Sequence, residues 1–443
     1  MSDYPQFASP RSASAAVLIT TTPAQGVTGA ILATGLGALL MFGPLAFGAV
    51  EEWSTLVLEA AAAGLLAIWA ISTMFQPERP IRWVPAFAVV LAGAVVIAAQ
   101  LALGLSAYAY VSIQEALKYA AYAMLFFVAV QCLQHEDTVR QFAVALTGFG
   151  FLLAVFAAIQ GFTSPGKLYW IREPRFSGWV YGPYVNHNHY AGLMEMLAAL
   201  PLAMSLKREM TGGKRALLIF AGLTMAATIF LSGSRGGSFA FVVEMALLAA
   251  AVTVTRSARV AAVLTLAAVL ILSAGLWGFG GVPAVDRLGT IPGVHGAAAD
   301  IRYSILLDGL RMFRQRPWLG WGVGTFPVVY PQFRSFFTND FVNQAHNDYL
   351  QLLIETGALG FLLLLSFLFL LFRRAVLHLR YLQSSLASAA SFGAAIGCAG
   401  LLVHSVSDFN MHIPANAALF FVLAAMAMRG RRRASPVRSD IVR

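Results

Sequence analysis

Residues 361–372 read FLLLLSFLFLLF, and Arg373 and Arg374 follow directly. Ser366 is the only polar side chain among those twelve positions. A helix needs about 20 apolar residues to cross the hydrocarbon core of a bilayer, and the apolar stretch extends back to residue 349. The segment 349–372 therefore predicts a membrane-spanning helix with a basic end.

The composition of the whole chain agrees with this segment. Of its 443 residues, 59% are hydrophobic and 11% are charged, and the mean hydropathy is +0.73. A typical soluble domain carries roughly 25% charged residues. The composition thus predicts an all-α polytopic membrane protein and excludes a soluble enzyme, a disordered chain and a disulfide-stapled secreted module. The net charge of +10 lies mainly in short loops and the C-terminal tail, which is typical of membrane topology, so we expect no nucleic-acid partner.

The same length criterion predicts twelve spans. They are 27–49, 54–75, 84–105, 115–133, 141–162, 189–206, 215–232, 237–255, 259–280, 349–372, 386–407 and 414–428. The chain then divides into a tail (1–26), spans 1–5 (27–162), a loop (163–188), spans 6–9 (189–280), a large loop (281–348), spans 10–12 (349–428) and a basic tail (429–443).

Lys and Arg predict the orientation of these spans, because short basic loops face the cytoplasm. Alternate short connections are basic, and they contain Arg79, Arg82, Arg140, Lys207–Arg215, Arg256, Arg259, Arg373–Arg380 and Arg429–Arg433. Both termini are therefore expected in the cytoplasm, and the loops 163–188 and 281–348 outside it. The large loop also has apolar residues at helical spacing, which predict an amphipathic helix on the membrane surface. These residues are Ile301, Ile305, Leu306, Leu310 and Phe313.

The turn Ser232–Gly237, sequence SGSRGG, lies on the predicted extracytoplasmic side and contains Arg235. A charge at a membrane edge is a functional-site hypothesis by default. Ser234 can cap the following helix, whose free amides and dipole favour an anion, and arginine can contact phosphate with two hydrogen bonds. The alternative interpretation is an interfacial arginine that extends to water.

His346 lies where the large loop re-enters the membrane, in the sequence Ala345–Leu350, AHNDYL. The positive end of a helix favours a neutral imidazole, and a neutral imidazole can act as a general base. The alternative interpretation is an interfacial histidine that only caps the helix.

Two further polar clusters fall on the same predicted side. They supply Asn186, Asn188 and His189 at the start of the sixth span, and Asp408 and Asn410 between the last two. His187 and His189 form a His-x-His pair, but no carboxylate or cysteine adjoins it, so sugar hydroxyls are a better partner than a metal. Below this cluster lies Glu195, for which a structural, hydrogen-bonded role is the simpler interpretation.

The sequence contains no Asp-x-Asp, no Walker loop, no dinucleotide fingerprint and no nucleophile elbow. An extracytoplasmic site also has no nucleotide sugar available. A group transfer there needs a donor that is already activated, and a lipid-linked diphosphate is the simplest.

The motifs together resemble the O-antigen ligase and O-antigen polymerase superfamily of bacterial membrane glycosyltransferases. The ligase pattern, His-[Asn/Ser/Gln], nine residues, then Gly-x-x-Gly, is met by His346, Asn347, Gly357 and Gly360. The resemblance covers about 180–428 and includes Ser234–Gly236, Asp300–Phe313, Pro317–Gly322 and Phe326–Pro331. These motifs are shared by ligases and polymerases and do not separate them.

The resemblance implies a GT-C-like fold of about twelve helices in the bacterial inner membrane, with a partly helical periplasmic loop between helices 9 and 10. It implies an undecaprenyl-diphosphate-linked glycan as donor, and lipid A-core or a growing glycan as acceptor. In this scheme His346 is the base of an inverting transfer, and Arg235 and Arg302 hold the diphosphate with help from Arg172 and Arg175. The glycan and acceptor rim is expected to contain Asn186, Asn188, His189, Asn347, Asp408 and Asn410. Neither a cofactor nor a metal is expected. The competing class is a lipid-glycan flippase or secondary transporter.

Overall fold

The structure is a computed structural model that describes residues 26–76, 80–164, 166–174, 179–254, 292–339 and 341–430. Within these ranges the chain forms helices and no β-strand. The main helices are α1 (Val27–Leu45), α2 (Glu52–Phe75), α3 (Ala86–Ala102), α4 (Ala109–Cys132), α5 (Glu136–Thr163), α6 (His187–Met204), α7 (Gly212–Leu231), α8 (Arg235–Val254), α9 (Pro292–Gln315), α10 (Asp348–Leu379), α11 (Leu386–His404) and α12 (Pro414–Ala427).

Among the described residues, eight helices are long and apolar enough to cross a membrane, namely α1, α2, α4, α5, α7, α8, α10 and α11. The prediction of an all-α polytopic membrane protein is thereby confirmed. Helices α3 and α12 are apolar but shorter, and α6 carries polar residues in its first turn. The predicted ninth span, 259–280, lies outside the described residues, so the count of twelve stays a prediction.

Helix α6 is the core of the bundle, since every residue from His189 to Met204 is buried. It packs closely against α11, where small residues allow the two backbones to approach. A Cβ at Gly393 would lie 2.7 Å from the Ala199 carbonyl oxygen, and one at Gly397 would lie 2.7 Å from that of Met196. Small residues four apart are a common way to bring membrane helices together, and here they fix how the polar ends of α6 and α11 meet.

Helix α10 is kinked at Gly357, whose φ of 67° and ψ of −169° favour glycine. The segment before the short turn Phe326–Val329 docks on this kink. The Ala358 amide donates to the Pro317 carbonyl at 2.8 Å, and a Cβ at Gly357 would lie 2.3 Å from the carbonyl of Trp318. The first glycine of the Gly-x-x-Gly pattern is therefore the point where the large loop is anchored to α10.

The amphipathic helix predicted in the large loop forms as α9, and part of its apolar face has a protein partner. Ile305 and Met312 are fully buried in a cluster that includes Leu350 and Ile354 of α10, while Leu306 remains partly exposed. The expectation that this face rests only on the membrane surface is corrected accordingly, because α10 covers its centre.

Candidate active site

The polar motifs of four separate connections meet at one end of the bundle. The N-terminal ends of α6, α8, α10 and α12 lie there with the C-terminal end of α11, and the connection 405–413 runs among them. The Asn188 side chain donates to Asp408 Oδ2 at 2.5 Å, and the Asn347 side chain donates to the Val406 carbonyl at 2.9 Å. Residues more than two hundred positions apart thus form one site.

His346 precedes the first turn of α10 and has the geometry of a constrained residue. Asn347 caps the helix, since its side-chain oxygen accepts from the Leu350 amide at 2.9 Å, and this places His346 just outside the helix. Its φ is 51°, a left-handed conformation that is uncommon outside glycine and is found at functional sites. The ring packs edge-on against Phe409 with centroids 5.1 Å apart.

The electrostatic surroundings keep this imidazole neutral. Burial is the largest influence and lowers the pKa of His346 below its ordinary value, with Arg302 and His189 acting in the same direction and Asp408 opposing them. Its Nδ1 is buried and has no hydrogen-bond partner among the described residues. A neutral ring with an unpartnered nitrogen is able to accept a proton from a substrate hydroxyl.

Asp408 is the buried acid of the site. Its Oδ1 lies 3.6 Å from His189 Nε2 and accepts from the Phe409 amide at 2.8 Å. Burial alone would raise the pKa of Asp408, but the neighbouring His189 imidazole holds it below its usual range. Phe409 lies against both His189 and His346, with centroids 4.6 Å and 5.1 Å away, so Asp408 and both histidines are held by one turn.

Asp348 and His412 form a second acid–imidazole pair. His412 Nδ1 donates to Asp348 Oδ1 at 2.8 Å, and the Met411 amide donates to Asp348 Oδ2 at 3.0 Å. Burial would lower the pKa of His412, but the hydrogen bond and charge of Asp348 outweigh it and raise the value to about 9. This pair fastens the connection between α11 and α12 to the start of α10.

The turn that carries Arg235 has the predicted capping geometry. The Gly237 amide donates to Ser234 Oγ at 3.1 Å, and this bond satisfies one of the free amides at the start of α8. Gly233 has a φ of 73° and lies against Trp179, which turns the chain sharply from α7 into α8. The Arg235 side chain is exposed at this point.

Beneath that turn lies a buried polar chain that the sequence did not reveal in full. His404 Nδ1 donates to Glu195 Oε1 at 2.9 Å, and Ser234 Oγ lies 3.5 Å from His404 Nε2. All three residues are buried. Glu195 drew attention in the sequence, but His404 did not, although an ionisable residue at the end of an apolar helix is a recognisable signal.

The predicted rim residues fall into two groups. Asn186, Asn188 and Asn347 are partly exposed and form a rim. Asp408, His189 and Asn410 are buried below it, so the expectation of a rim that includes them is corrected. The Asn410 side-chain oxygen, for example, accepts from Asn416 at 3.0 Å.

Besides Arg235, the predicted phosphate ligands are Arg302, Arg172 and Arg175, and their surroundings differ. Arg302 is exposed, and its Nη1 donates to the Ser407 carbonyl at 3.3 Å, within the connection that carries Asp408 and Phe409. Arg172 instead forms an ion pair with Glu51 and lies over the ring of Phe47. Arg175 lies outside the described residues.

Comparison with known families bears on this geometry. Residues 220–365 match the O-antigen ligase family. The resemblance to the O-antigen ligase and polymerase superfamily is thereby confirmed. The O-antigen ligase segment begins in α7 and ends in α10, so it includes Arg235, Arg302 and His346. A search of curated proteins finds no match to the chain.

The site extends beyond the matched segment. The segment supplies the ends of α8 and α10, whereas Asn188, His189, His404 and Asp408 come from flanking helices that the match does not cover. The match and the eight membrane-competent helices of the described residues indicate a multi-pass membrane protein that contains a segment similar to the O-antigen ligase family. The elements that flank residues 220–365 supply the other polar residues of the candidate site.

Proposed function

We propose that the chain transfers a glycan from an undecaprenyl-diphosphate donor to a hydroxyl group of lipid A-core, at the periplasmic face of the inner membrane. The observation that carries this proposal is the environment of His346. The backbone of His346 is in the left-handed region, and the pKa of its imidazole is lowered. The buried Nδ1 has no hydrogen-bond partner among the described residues. Such a nitrogen fits a general base that meets its proton donor only when the acceptor is bound.

In the proposed reaction the acceptor hydroxyl donates its proton to the imidazole of His346 as its oxygen attacks the anomeric carbon. The bond between that carbon and the diphosphate oxygen breaks on the opposite face, so the anomeric configuration inverts. The diphosphate leaves with the bonding electrons, and the protonated imidazole later releases its proton to water. This reaction needs no cofactor, and His346 is the only protein group in it that changes protonation.

Two arginines support the position of the departing diphosphate. Arg302 is joined to the Ser407 carbonyl at 3.3 Å, and the ring of Phe409, two residues further on, touches His346. Arg235 opens α8, whose N-terminal amides and dipole favour an anion. Guanidinium groups aimed at developing negative charge stabilise the transition state. Because Arg172 is already paired with Glu51, we assign it a secondary contribution at most, together with Arg175.

A lipid-linked substrate also fits the surroundings of the site. An apolar cavity of about 210 Å³ reaches the Asp348–His412 pair and is lined mainly by side chains of α3, α4, α10 and α12. A hydrocarbon chain can occupy such a space while its polar head lies at the rim, as expected for a donor or acceptor that stays in the membrane.

The test is transfer by purified protein in nanodiscs, with an undecaprenyl-diphosphate glycan as donor. Lipid A-core as the accepted substrate, together with loss of lipid-A-linked glycan in cells that lack the protein, would support the ligase. Extension of the donor's own glycan, and loss of the chain-length ladder in those cells, would identify a polymerase of the same superfamily. Movement of the lipid-linked glycan across the bilayer without transfer would contradict both and identify a flippase.

The orientation is tested separately with reporter fusions. We expect fusions at Gly322 and Arg380 to report the periplasm and the cytoplasm respectively, because basic residues predict the cytoplasmic ends. Fusions that report the same side would contradict the topology and the periplasmic site with it.

A further inference from the structure

A chain of three buried polar side chains lies behind the turn that carries Arg235. Glu195 lies on α6, His404 ends α11, and Ser234 precedes α8. Each is at most 1% exposed, and the contacts between them are 2.9 Å and 3.5 Å long. Buried polar groups are costly unless they are hydrogen-bonded, so the chain requires an explanation beyond packing.

The direction of the hydrogen bonds follows from the carboxylate. Glu195 accepts from His404 Nδ1, so in the neutral ring Nε2 carries no proton and accepts from the Ser234 hydroxyl. The Ser234 oxygen is then left with lone pairs for the Gly237 amide, from which it accepts at 3.1 Å. One carboxylate thereby fixes the tautomer of His404, the orientation of the Ser234 hydroxyl and the cap of α8.

This order of groups is the one found in serine–histidine–carboxylate triads, in which the acid holds the imidazole tautomer. The position of Ser234 excludes a nucleophile here, because the residue is fully buried and its oxygen already accepts from the first turn of α8. The chain therefore acts on the conformation of the turn.

The glycines of the SRGG turn make this contact possible. A Cβ at Gly236 would lie 2.7 Å from His404 Cδ2, and a Cβ at Gly237 would lie 2.7 Å from Glu195 Oε1. Both distances are shorter than side chains tolerate, so only glycine lets the start of α8 lie directly on the imidazole and the carboxylate. The turn is thus shaped to fit the polar chain beneath it.

We propose that Glu195, His404 and Ser234 are positioning residues that hold the first turn of α8, and with it Arg235, in place for the donor diphosphate. The assignment of the diphosphate rests on the proposed function. The positioning itself does not, because it concerns the order of the α8 turn whether or not a substrate is present.

The first test measures hydrogen exchange of the purified protein without substrate. Glu195→Gln keeps the shape of the side chain but not the carboxylate, and Ser234→Ala removes the cap. Loss of an N-terminal cap typically costs about 1 kcal/mol, so we expect amides in 234–241 to exchange at least about fivefold faster in both variants. Glu355→Gln is the matched control, since Glu355 is another buried carboxylate, on α10, that accepts from the Gly324 and Phe326 amides and not from the α8 turn. Unchanged exchange in Ser234→Ala, or equal acceleration in Glu355→Gln, overturns the proposal.

The second test separates positioning from general damage by kinetics. We expect Glu195→Gln to raise the KM for the lipid-diphosphate donor and to lower kcat, because Arg235 also stabilises the departing charge, while the acceptor KM stays within about twofold of the parent. In an Arg235→Ala background the same substitution should change the donor KM by less than about twofold, because the two residues act through one turn. Equal effects in both backgrounds overturn the link to Arg235. If the parent protein transfers no glycan at all, the proposed function fails, and the exchange experiment still decides the positioning.

Discussion

Replacing Asp348 by asparagine tests how the connection between α11 and α12 is held. The carboxylate accepts from His412 Nδ1 and from the Met411 amide. Asparagine keeps one acceptor oxygen and nearly the same volume, so the substitution removes the charge with little change of shape. The hydrogen bond and the charge that raise the pKa of His412 most would then be lost, so this pKa would fall.

The magnitude follows from the raised pKa of His412. An increase from 6.5 to about 9 corresponds to about 3 kcal/mol of stabilisation at 1.36 kcal/mol for each tenfold change in proton affinity. Both side chains are at most 10% exposed, so solvent screens the pair only weakly. Because the folded-state pKa lies above the unfolded one, this stabilisation is fully present below pH 6.5 and is lost as the pH rises through about 9.

The assay is thermal unfolding in detergent from pH 6 to pH 10, followed with a thiol-reactive dye. Cys132 and Cys398 are both buried and free, so labelling reports unfolding. We expect the unfolding temperature of the parent to exceed that of Asp348→Asn at pH 6.5. This difference should shrink as the pH rises to about 9, where the two profiles converge. Asp137→Asn is the control, because Asp137 lies in an exposed ion pair of the kind that contributes little. Parallel profiles for the parent and Asp348→Asn would refute the reasoning.

Three further predictions concern the site and its anchor. His346→Ala should lose at least about two orders of magnitude in transfer rate and keep donor binding; turnover within about threefold of the parent would reduce His346 to a helix cap. Arg235→Lys keeps the charge but loses the planar fork, so its donor affinity should fall between those of the parent and Arg235→Ala; unchanged affinity in Arg235→Ala would contradict diphosphate binding. Gly357→Ala should lower the midpoint of thermal unfolding, because the added Cβ would lie 2.3 Å from the Trp318 carbonyl. Gly93→Ala is the control and should not lower it, because no atom lies within 4 Å of its Cβ. Equal midpoints for the two variants would exclude the kink as an anchor.

The helices were predictable because membrane spans impose a single strong pattern on the sequence. The predicted span 27–49 became Val27–Leu45, and 386–407 became Leu386–His404. The largest difference at the start of a helix is α4, predicted from 115 and beginning at Ala109. Its first turn is polar enough to resemble a loop, but Ser112 is buried and donates to the Val323 carbonyl of the large loop at 2.7 Å. A contact with a distant segment therefore decided where this helix begins.

The residues of the candidate site were predictable from the sequence, but their contacts were not. Spacing showed that Asn188, His346 and Asp408 each lie at the end of a span, and the basic loops placed those ends on one side. Which ends touch depends on how the helices pack, and small residues such as Gly397 on α11 decide that. His404 was missed for the same reason, since its importance comes from Glu195 and Ser234 on other helices.

Burial divides the site into two layers with different tasks. The partly exposed layer contains Asn188, Asn347 and the ring of His346, which are the groups that a glycan or an acceptor hydroxyl is able to reach. The layer beneath it contains Asp408 and Asn410, which are buried and held by hydrogen bonds to neighbouring elements. Because these side chains are covered by the upper layer, their effect on transfer passes through the residues above them. Substitutions in the lower layer should therefore change stability and activity together, whereas substitution of His346, whose ring Nδ1 has no hydrogen-bond partner among the described residues, should change mainly activity.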